Sequence, residues 1–176
     1  MEPIAVEKMD FGPCEVHFGA DTPVYLGRTQ GNTVVEYSVE TFALETEEDG
    51  QVDEVVSADN LQVTIPLVYT DVDSLSNIVP WGNIVEGAGG EKKLEIPKAV
   101  GKRLSDYADQ LKIHPVSVAD DDLSKDIVIH KCYPKPGPIS FTYSRNGTRI
   151  ANVTFVAMED ENGKYLTIGD PSITSA

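Results

Sequence analysis

Apolar residues recur at every second position along much of the chain, a period typical of β-strands whose two faces meet different surroundings. The clearest run is Thr33–Leu44, in which valine and tyrosine alternate with polar residues. After Thr41 the phase reverses, because Phe42 and Leu44 are apolar on the side that was polar before. The pattern predicts one long strand with a β-bulge, or a change of packing environment, near Thr41.

An acidic tract follows this strand and includes the turn pair Asp49–Gly50. Extended segments resume at Val52–Ala58 and at Leu61–Tyr69. The region therefore predicts a long hairpin with a charged tip. The residues of the tip are Thr46, Glu47, Glu48, Asp49, Gly50, Gln51, Val52 and Asp53.

One short helix is signalled after this hairpin. Thr70 is predicted to be its N-cap, and Asp73 lies three residues later, at the spacing of a capping box. Pro80 ends the run. The helix is too short to be stable alone, so its apolar stripe is expected to lie on the sheet. The stripe consists of Val72, Leu75, Ile78 and Val79.

Prolines and glycines punctuate the centre of the chain. Pro66 and Pro115 fall inside extended segments and lack an N–H donor, so both predict edge or bulged positions. Glu86–Lys93 contains three glycines and is expected to be a mobile surface loop. Helical spacing of apolar residues predicts a helix or turn within Val100–Gln110. Trp81 is interpreted as a core anchor.

The last third of the chain is predicted to be β. Ile127–Cys132 has the pattern of a strand. Ile139–Ser144 and Arg149–Met158 flank Asn146–Gly147, a strong hairpin signal. A further hairpin is expected to turn at Asn162–Gly163.

These patterns predict a mainly β fold, an antiparallel β-sandwich or partial barrel with one short flanking α-helix. A single domain is expected over residues 1–176, with 1–10 and 170–176 flexible. No run approaches the roughly 18 apolar residues of a membrane span. The N-terminal sequence lacks the basic and then apolar pattern of a signal peptide, which favours a protein kept in the cytosol or released by another route.

Charge narrows the choice of partners. Asp and Glu number 29 against 14 Lys and Arg, which gives a formal net charge of −15. Nucleic acid should repel such a chain, so the composition argues against a protein that reads DNA sequence. The acidic composition is compatible with a protein that lets DNA pass along its surface without binding it.

The sequence carries no recognised catalytic signature, neither GxSxG, a P-loop nor HExxH, so no enzyme activity and no cofactor are expected. The acidic runs Glu45–Asp49 and Asp120–Asp122 are interpreted as solvated loops, with weak Ca²⁺ binding as the alternative. Cys14 and Cys132 are interpreted as buried thiols. A zinc site built from Cys132 and His130 is the alternative.

Several stretches, read in order, form a recognisable series. They are Leu26–Glu36 (LGRTQGNTVVE), Val52–Pro66 (with VDEVV and LQVTIP), the capped helix, Leu111–Pro115 (LKIHP), the PGPISFTYS hairpin and Phe155–Asp170. In this order they resemble the major tail proteins of long-tailed bacteriophages of the siphovirus type. The similarity is one of pattern and order, and it extends from about Phe11 to Asp170. The same fold also resembles the tube protein of type VI secretion systems and some baseplate subunits.

The resemblance implies a structural protein of the virion tail, assembled in the host cytoplasm without contact with a membrane. Members form hexameric rings that stack into a tube, with an acidic channel through which DNA passes into the host. The implied partners are other copies of the chain, the tape measure protein, the tail terminator and the distal tail protein. A carbohydrate-binding β-sandwich is the main alternative, although only 7% of residues are aromatic.

Two sets of residues acquire expected roles from this resemblance. A long hairpin reaches the next ring in the family, so the tip residues 46–53 are predicted to dock on basic residues of the adjacent ring. Glu36, Ser38 and Glu40, on the polar face of the first long strand, are predicted to line the channel. An ordinary solvated outer face is the alternative for these three residues.

Overall fold

The computed structural model describes residues 12–68, 71–135 and 151–173. Within these ranges the chain is mainly β and antiparallel with one α-helix, as the sequence predicts. The elements are β1 (Cys14–Phe18), β2 (Val24–Tyr25), β3 (Val34–Thr46), β4 (Gly50–Leu67), α1 (Val72–Ile78), β5 (Asn83–Glu86), β6 (Lys92–Glu95), β7 (Asp109–Pro115), β8 (Ile127–Pro134), β9 (Ala151–Ala157) and β10 (Leu166–Ile168). No helix in these ranges is both long and apolar enough to cross a membrane.

The main sheet has the strand order β2-β1-β7-β8-β9-β4-β3, and it does not close into a barrel. β10 pairs with the first half of β8, while β9 pairs with the second half. β5 and β6 form a separate two-stranded sheet. One edge of the main sheet is the two-residue strand β2, and the other is the 13-residue strand β3. The long open edge therefore lies entirely on β3.

The core lies on one face of this sheet. Alternate residues of β4 are buried, among them Leu61, Val63 and Ile65, and Phe155 of β9 is fully buried beside them. The predicted helix is present, and three members of its stripe, Leu75, Ile78 and Val79, pack against this core. Trp81 also packs against it, partly buried, with its ring edge-on to Tyr107 at 6.4 Å between centroids.

The helix begins one residue later than predicted. Its N-cap is Asp71, whose Oδ1 accepts a hydrogen bond from the backbone N–H of Ser74 at 2.6 Å. The predicted cap, Thr70, lies outside the described residues. Because Asp73 lies only two residues after the N-cap Asp71, it does not form a capping box. Its carboxylate forms an ion pair with Lys92 at 2.8 Å instead. Asp71 accepts the capping hydrogen bond as well as Thr70 would, so the spacing of residues alone could not decide which of the two is the N-cap.

The predicted β-bulge is confirmed. Glu40 lies opposite Ala58, but the next residue, Thr41, lies opposite Val56, so Ser57 is the extra residue on β4. The two extended segments predicted after the acidic tract form one continuous strand, Gly50–Leu67.

Pro66 is not at a sheet edge, so the prediction is wrong for this residue, whereas Pro115 is paired on one side only, as an edge position is. Pro66 pairs with Asn152 of β9, and its carbonyl accepts a hydrogen bond from Gln30 on the other side at 3.0 Å. Because a strand residue points its N–H and C=O the same way, the missing donor of Pro66 faces Gln30 and leaves the β9 pairing intact. Pro115 pairs with Cys14 at the last position of β7, beyond the end of the β7–β8 ladder.

Two other predicted elements differ in the structure, and the helix or turn predicted within Val100–Gln110 is present as a turn. Glu86–Lys93 is not an open loop, since it contains the turn of the β5–β6 hairpin. Val100–Gln110 holds a single 3₁₀ turn, Leu104–Tyr107, before β7 begins at Asp109. The chain does turn at Gly163, which has a φ of +73°, but the strand that follows pairs with β8 instead of β9. The predicted hairpin at Asn146–Gly147 lies outside the described residues.

Candidate functional site

The outer part of the β3–β4 hairpin, residues 38–60, extends away from the core, and we call it the ribbon. β9 pairs with β4 only from Gln62 onward, so the ribbon is two strands wide. Every residue of the ribbon except Ala43 is exposed. At about 3.3 Å per residue, the eleven β4 residues 50–60 extend about 35 Å beyond the buried Leu61. Within the described part of the chain no third strand pairs with the ribbon, and at its base the hydroxyl of Tyr165 donates a hydrogen bond to Asp59 at 3.1 Å.

The ribbon carries large apolar side chains in spite of its exposure. Phe42 is 61% exposed and Val52 is 60% exposed. Large apolar side chains that are exposed together on one segment often mark a site of interaction with another protein. A two-stranded hairpin alone is also only marginally stable in water, so the two strands of the ribbon contribute little stability by themselves. The six large apolar residues are Val39, Phe42, Leu44, Val52, Val55 and Val56.

This apolar surface is distributed over both faces of the ribbon. Before the bulge, Val39 lies on the same side of β3 as the core-facing Val35. After it, Phe42 lies opposite Val55 on the other face, with Leu44 two residues further along. A partner that covers only one face would therefore leave apolar side chains exposed on the other.

Glu36, Ser38 and Glu40 lie together on one face of β3, as the sequence predicts from their spacing. This is the face of the sheet that points away from the core. It continues across β4 and onto β9, where Thr64 and Thr154 place their hydroxyl oxygens 3.4 Å apart. Around these three residues the face is polar and acidic, with no lysine or arginine in β3 or β4, and Phe42 and Leu44 follow on the same face toward the end of the hairpin. The residues directly opposite are Gln62, Asn60 and Ala58.

The eight predicted contact residues, 46–53, lie at the far end of the ribbon, and together with Glu45 we call them the acidic tip. The turn is held by the backbone N–H of Asp49, which donates to the hydroxyl of Thr46 at 3.1 Å, and Gly50 adopts a φ of +72°. Glu47 and Glu48 form no ion pair with any described residue. The acidic tip thus presents uncompensated negative charge at the point most distant from the core.

A buried charged cluster, which the sequence did not predict, lies elsewhere in the sheet. Asp126 is fully buried, with one carboxylate oxygen 2.5 Å from His114 Nδ1 and the other 2.8 Å from Lys112 Nζ. It joins β7 to the turn that precedes β8. No local pattern connects an aspartate and a histidine twelve positions apart, so only the fold could bring them together. Because Asp126 is completely enclosed, we assign the cluster to the stability of the sheet.

The geometry does not support a zinc site built from His130 and Cys132. Cys132 is buried in the core, and burial raises the pKa of its thiol, which keeps the sulfur protonated and a poor ligand. His130 places Nε2 2.8 Å from the hydroxyl of Thr167. Among the described residues, no three His, Cys, Asp or Glu side chains are grouped as metal ligands. In the acidic run 120–122, Asp122 accepts a hydrogen bond from the backbone N–H of Ser124 at 3.0 Å.

Comparison with known proteins assigns no family to this chain. No model of a known protein family matches it, and no curated protein matches its sequence. A function must consequently be inferred from the surface of the molecule itself, and the ribbon with its acidic tip is the most distinctive feature of that surface.

Proposed function

We propose that this protein is a self-assembling structural subunit of a phage tail tube, in which hexameric rings stack into a conduit for DNA. The ribbon is the observation that carries the proposal. In a permanent monomer, unpaired strand edges and exposed apolar side chains on both faces would promote aggregation. In a tube, neighbouring copies cover the same surfaces, and the ribbon becomes an assembly element.

The open edge of the main sheet supports the formation of rings. β3 presents a row of unpaired N–H and C=O groups over 13 residues. Joining the open sheets of neighbouring copies into one barrel removes such edges altogether. The short strand β2, at the other edge, provides the second side of each junction.

The charge of the chain suits a DNA conduit. Duplex DNA carries one negative charge per about 1.7 Å of its axis, so a basic lining would retain it through counterion release. The polar face that holds Glu36, Ser38 and Glu40 offers an acidic lining instead. We assign this face to the channel, where it would let DNA slide without adhering.

Electron microscopy of the purified protein at increasing concentration tests the assembly. We expect rings and tubes from the wild-type chain. A variant in which residues 45–51 are replaced by Asn-Gly should remain folded, because these residues contribute nothing to the core, yet it should form no tubes. The matched control shortens another hairpin by replacing residues 87–91 in the β5–β6 turn with Asn-Gly, and it should form tubes normally.

Two results would contradict the proposal. The first is a wild-type protein that stays monomeric at every concentration. The second is normal tube formation by the variant with the shortened tip. For the conduit itself, binding of duplex DNA should be undetectable at physiological salt, and tight binding would rule out an acidic channel.

A further inference from the structure

The basic residues of the chain are distributed unevenly. No lysine or arginine occurs between Arg28 and Lys92. Five of the 14 then fall within residues 92–103, which contain a single acidic residue, Glu95. We call residues 92–103 the basic segment. It comprises β6 and the irregular stretch that leads to the 3₁₀ turn at Leu104–Tyr107.

The basic segment is an open surface. Val100 is 82% exposed and Ile96 is 59% exposed. Lys98 and Arg103 are exposed and form no ion pair within the described ranges. Lys102 lies over the ring of Tyr107, with Nζ 5.9 Å from the ring centroid. The segment therefore combines unpaired positive charge with exposed apolar side chains.

The acidic tip has the same two properties with the opposite charge. Glu47 and Glu48 are exposed and form no ion pair in the described part of the chain. Leu44 and Val52 flank them, 43% and 60% exposed. Two surfaces with complementary charge and matching apolar content are suited to bind each other, since charge sets their orientation and apolar burial supplies affinity.

The two surfaces do not meet within one copy. The side-chain hydrogen bonds of ribbon residues 41–57 remain inside the ribbon, as between Thr41 and Glu54 and between Ser57 and the carbonyl of Glu40. No ion pair joins the ribbon to the basic segment among residues 12–68, 71–135 and 151–173. Binding between these two surfaces would therefore require a second copy of the chain.

We infer that the acidic tip of one copy docks on the basic segment of a second copy. The inference rests on the proposed function and specifies its ring-to-ring contact. Because the two surfaces differ, the contact is heterologous, and each copy keeps one tip and one basic segment free for the next. Repetition of such a contact produces an open-ended stack instead of a closed dimer.

Two triple variants test this contact. Variant T reverses the charge of the tip through E47K, E48K and D49K, and variant B reverses the charge of the basic segment through K98E, K102E and R103E. All six side chains are exposed, so both variants should keep the fold, as circular dichroism can verify. Analytical ultracentrifugation in low-salt buffer measures the assembly of each variant alone and of an equimolar mixture.

Each variant alone brings like charges together, whereas the mixture restores attraction at both contacts. The tip of T then faces the reversed segment of B, and the tip of B faces the native segment of T. We expect the concentration needed for half-assembly to rise by roughly tenfold or more in each variant alone, because three attractive pairs become repulsive. It should return close to the wild-type value in the mixture, and 1 M salt should reduce the difference because exposed charges are then screened.

Controls separate the contact from the effect of net charge. The same reversals at exposed positions elsewhere should leave assembly near that of the wild type. For T these are D120K, D121K and E161K, and for B they are R28E, K135E and K164E. Three results would overturn the docking site but not the tube function, provided that the wild type forms tubes. They are unimpaired assembly of B, a mixture that assembles no better than either variant alone, and control variants that are as impaired as T and B. A wild-type chain that never assembles would overturn both.

Discussion

One strand, β4, belongs to two different regions of the molecule. From Leu61 to Leu67 it lies in the main sheet, where β3 pairs with it as far as Thr64 and β9 pairs with it from Gln62 onward, and its alternate side chains enter the core. From Gly50 to Asn60 the same strand is paired only with β3, and every residue is exposed. The backbone conformation is continuous, so the contrast comes from what surrounds the strand and not from the strand itself.

This contrast separates stability from assembly. The core region has two layers, since the helix and the loops cover the apolar face of the sheet, and burial of that face supplies the driving force for folding. The ribbon has backbone pairing but no layer beneath its apolar side chains. Substitutions in the core region should therefore change the free energy of unfolding, and substitutions in the ribbon should change association.

The largest effect on stability is expected in the core. Phe155 is fully buried and packs against Phe18, with 5.2 Å between ring centroids. Phe155→Ala should lower the free energy of unfolding by about 3–5 kcal/mol, because it removes apolar contacts and leaves a cavity. Equilibrium unfolding in urea measures this loss. A loss below about 1 kcal/mol would show that the strand is less tightly packed than its burial indicates.

The buried Asp126 should have the next largest effect. Asp126→Ala leaves Lys112 and His114 without their carboxylate, so we expect a loss of about 3 kcal/mol, typical of breaking a buried charge network. Asp120→Ala, at an exposed position, serves as the control and should stay within about 0.5 kcal/mol of the wild type. Equal stability of the two variants in urea would show that the cluster does not hold β7 and β8 together.

The helix cap should contribute less, and in a pH-dependent way. Asp71→Ala removes the N-cap and should cost about 1 kcal/mol at neutral pH. Hydrogen bonds from the backbone and side chain of Ser74 hold the pKa of Asp71 below its usual value. Its contribution is thus fully present above the unfolded pKa of about 3.9 and disappears as the pH falls through the lower folded pKa.

Thermal unfolding of Asp71→Ala and the wild type should therefore converge as the pH is lowered below about 4. Asp73→Ala provides the comparison, because it breaks only the exposed ion pair with Lys92, worth at most about 0.5–1 kcal/mol. A larger loss of stability from Asp73→Ala than from Asp71→Ala at neutral pH would indicate that the helix has its N-cap at Thr70, with Asp73 in a capping box, as the sequence predicted.

The smallest effect on folding is expected in the ribbon, from the counterpart of the core phenylalanine. Phe42 is 61% exposed, so Phe42→Ala should change the free energy of unfolding of the monomer by no more than about 0.5 kcal/mol. The same substitution should impair tube formation, because it removes the largest apolar contact that the ribbon offers. Normal tubes, scored by electron microscopy, would mean that this face of the ribbon stays exposed after assembly.

Local signals in the sequence predicted local structure well. The reversal of apolar phase at Thr41 correctly indicated the bulge, and the stripe of α1 packs where its spacing required. Each of these features depends on residues that are close together in the sequence. The periodicity of a short segment is sufficient to predict such a feature, whatever the rest of the chain does.

Features that depend on residues distant in the sequence could not be predicted from local patterns. Pro66 and Pro115 have the expected backbone restriction, but which neighbour each faces depends on strand order. The pairing of β10 with β8 and the meeting of His114 with Asp126 are decided by the whole sheet. An apolar pattern also cannot distinguish a core residue from an exposed one, which is why the exposure of Phe42 became evident only in the structure.

The most direct test of the account is hydrogen exchange of the ribbon before and after assembly. Backbone amides of residues 41–57 should exchange rapidly in dilute protein, because a two-stranded hairpin without a supporting layer opens readily, whereas those of β4 from Leu61 to Leu67 should be protected. In concentrated, assembled protein we predict that the ribbon becomes protected to a similar degree. A ribbon that exchanges equally fast in both states would contradict the claim that other copies of the chain cover it.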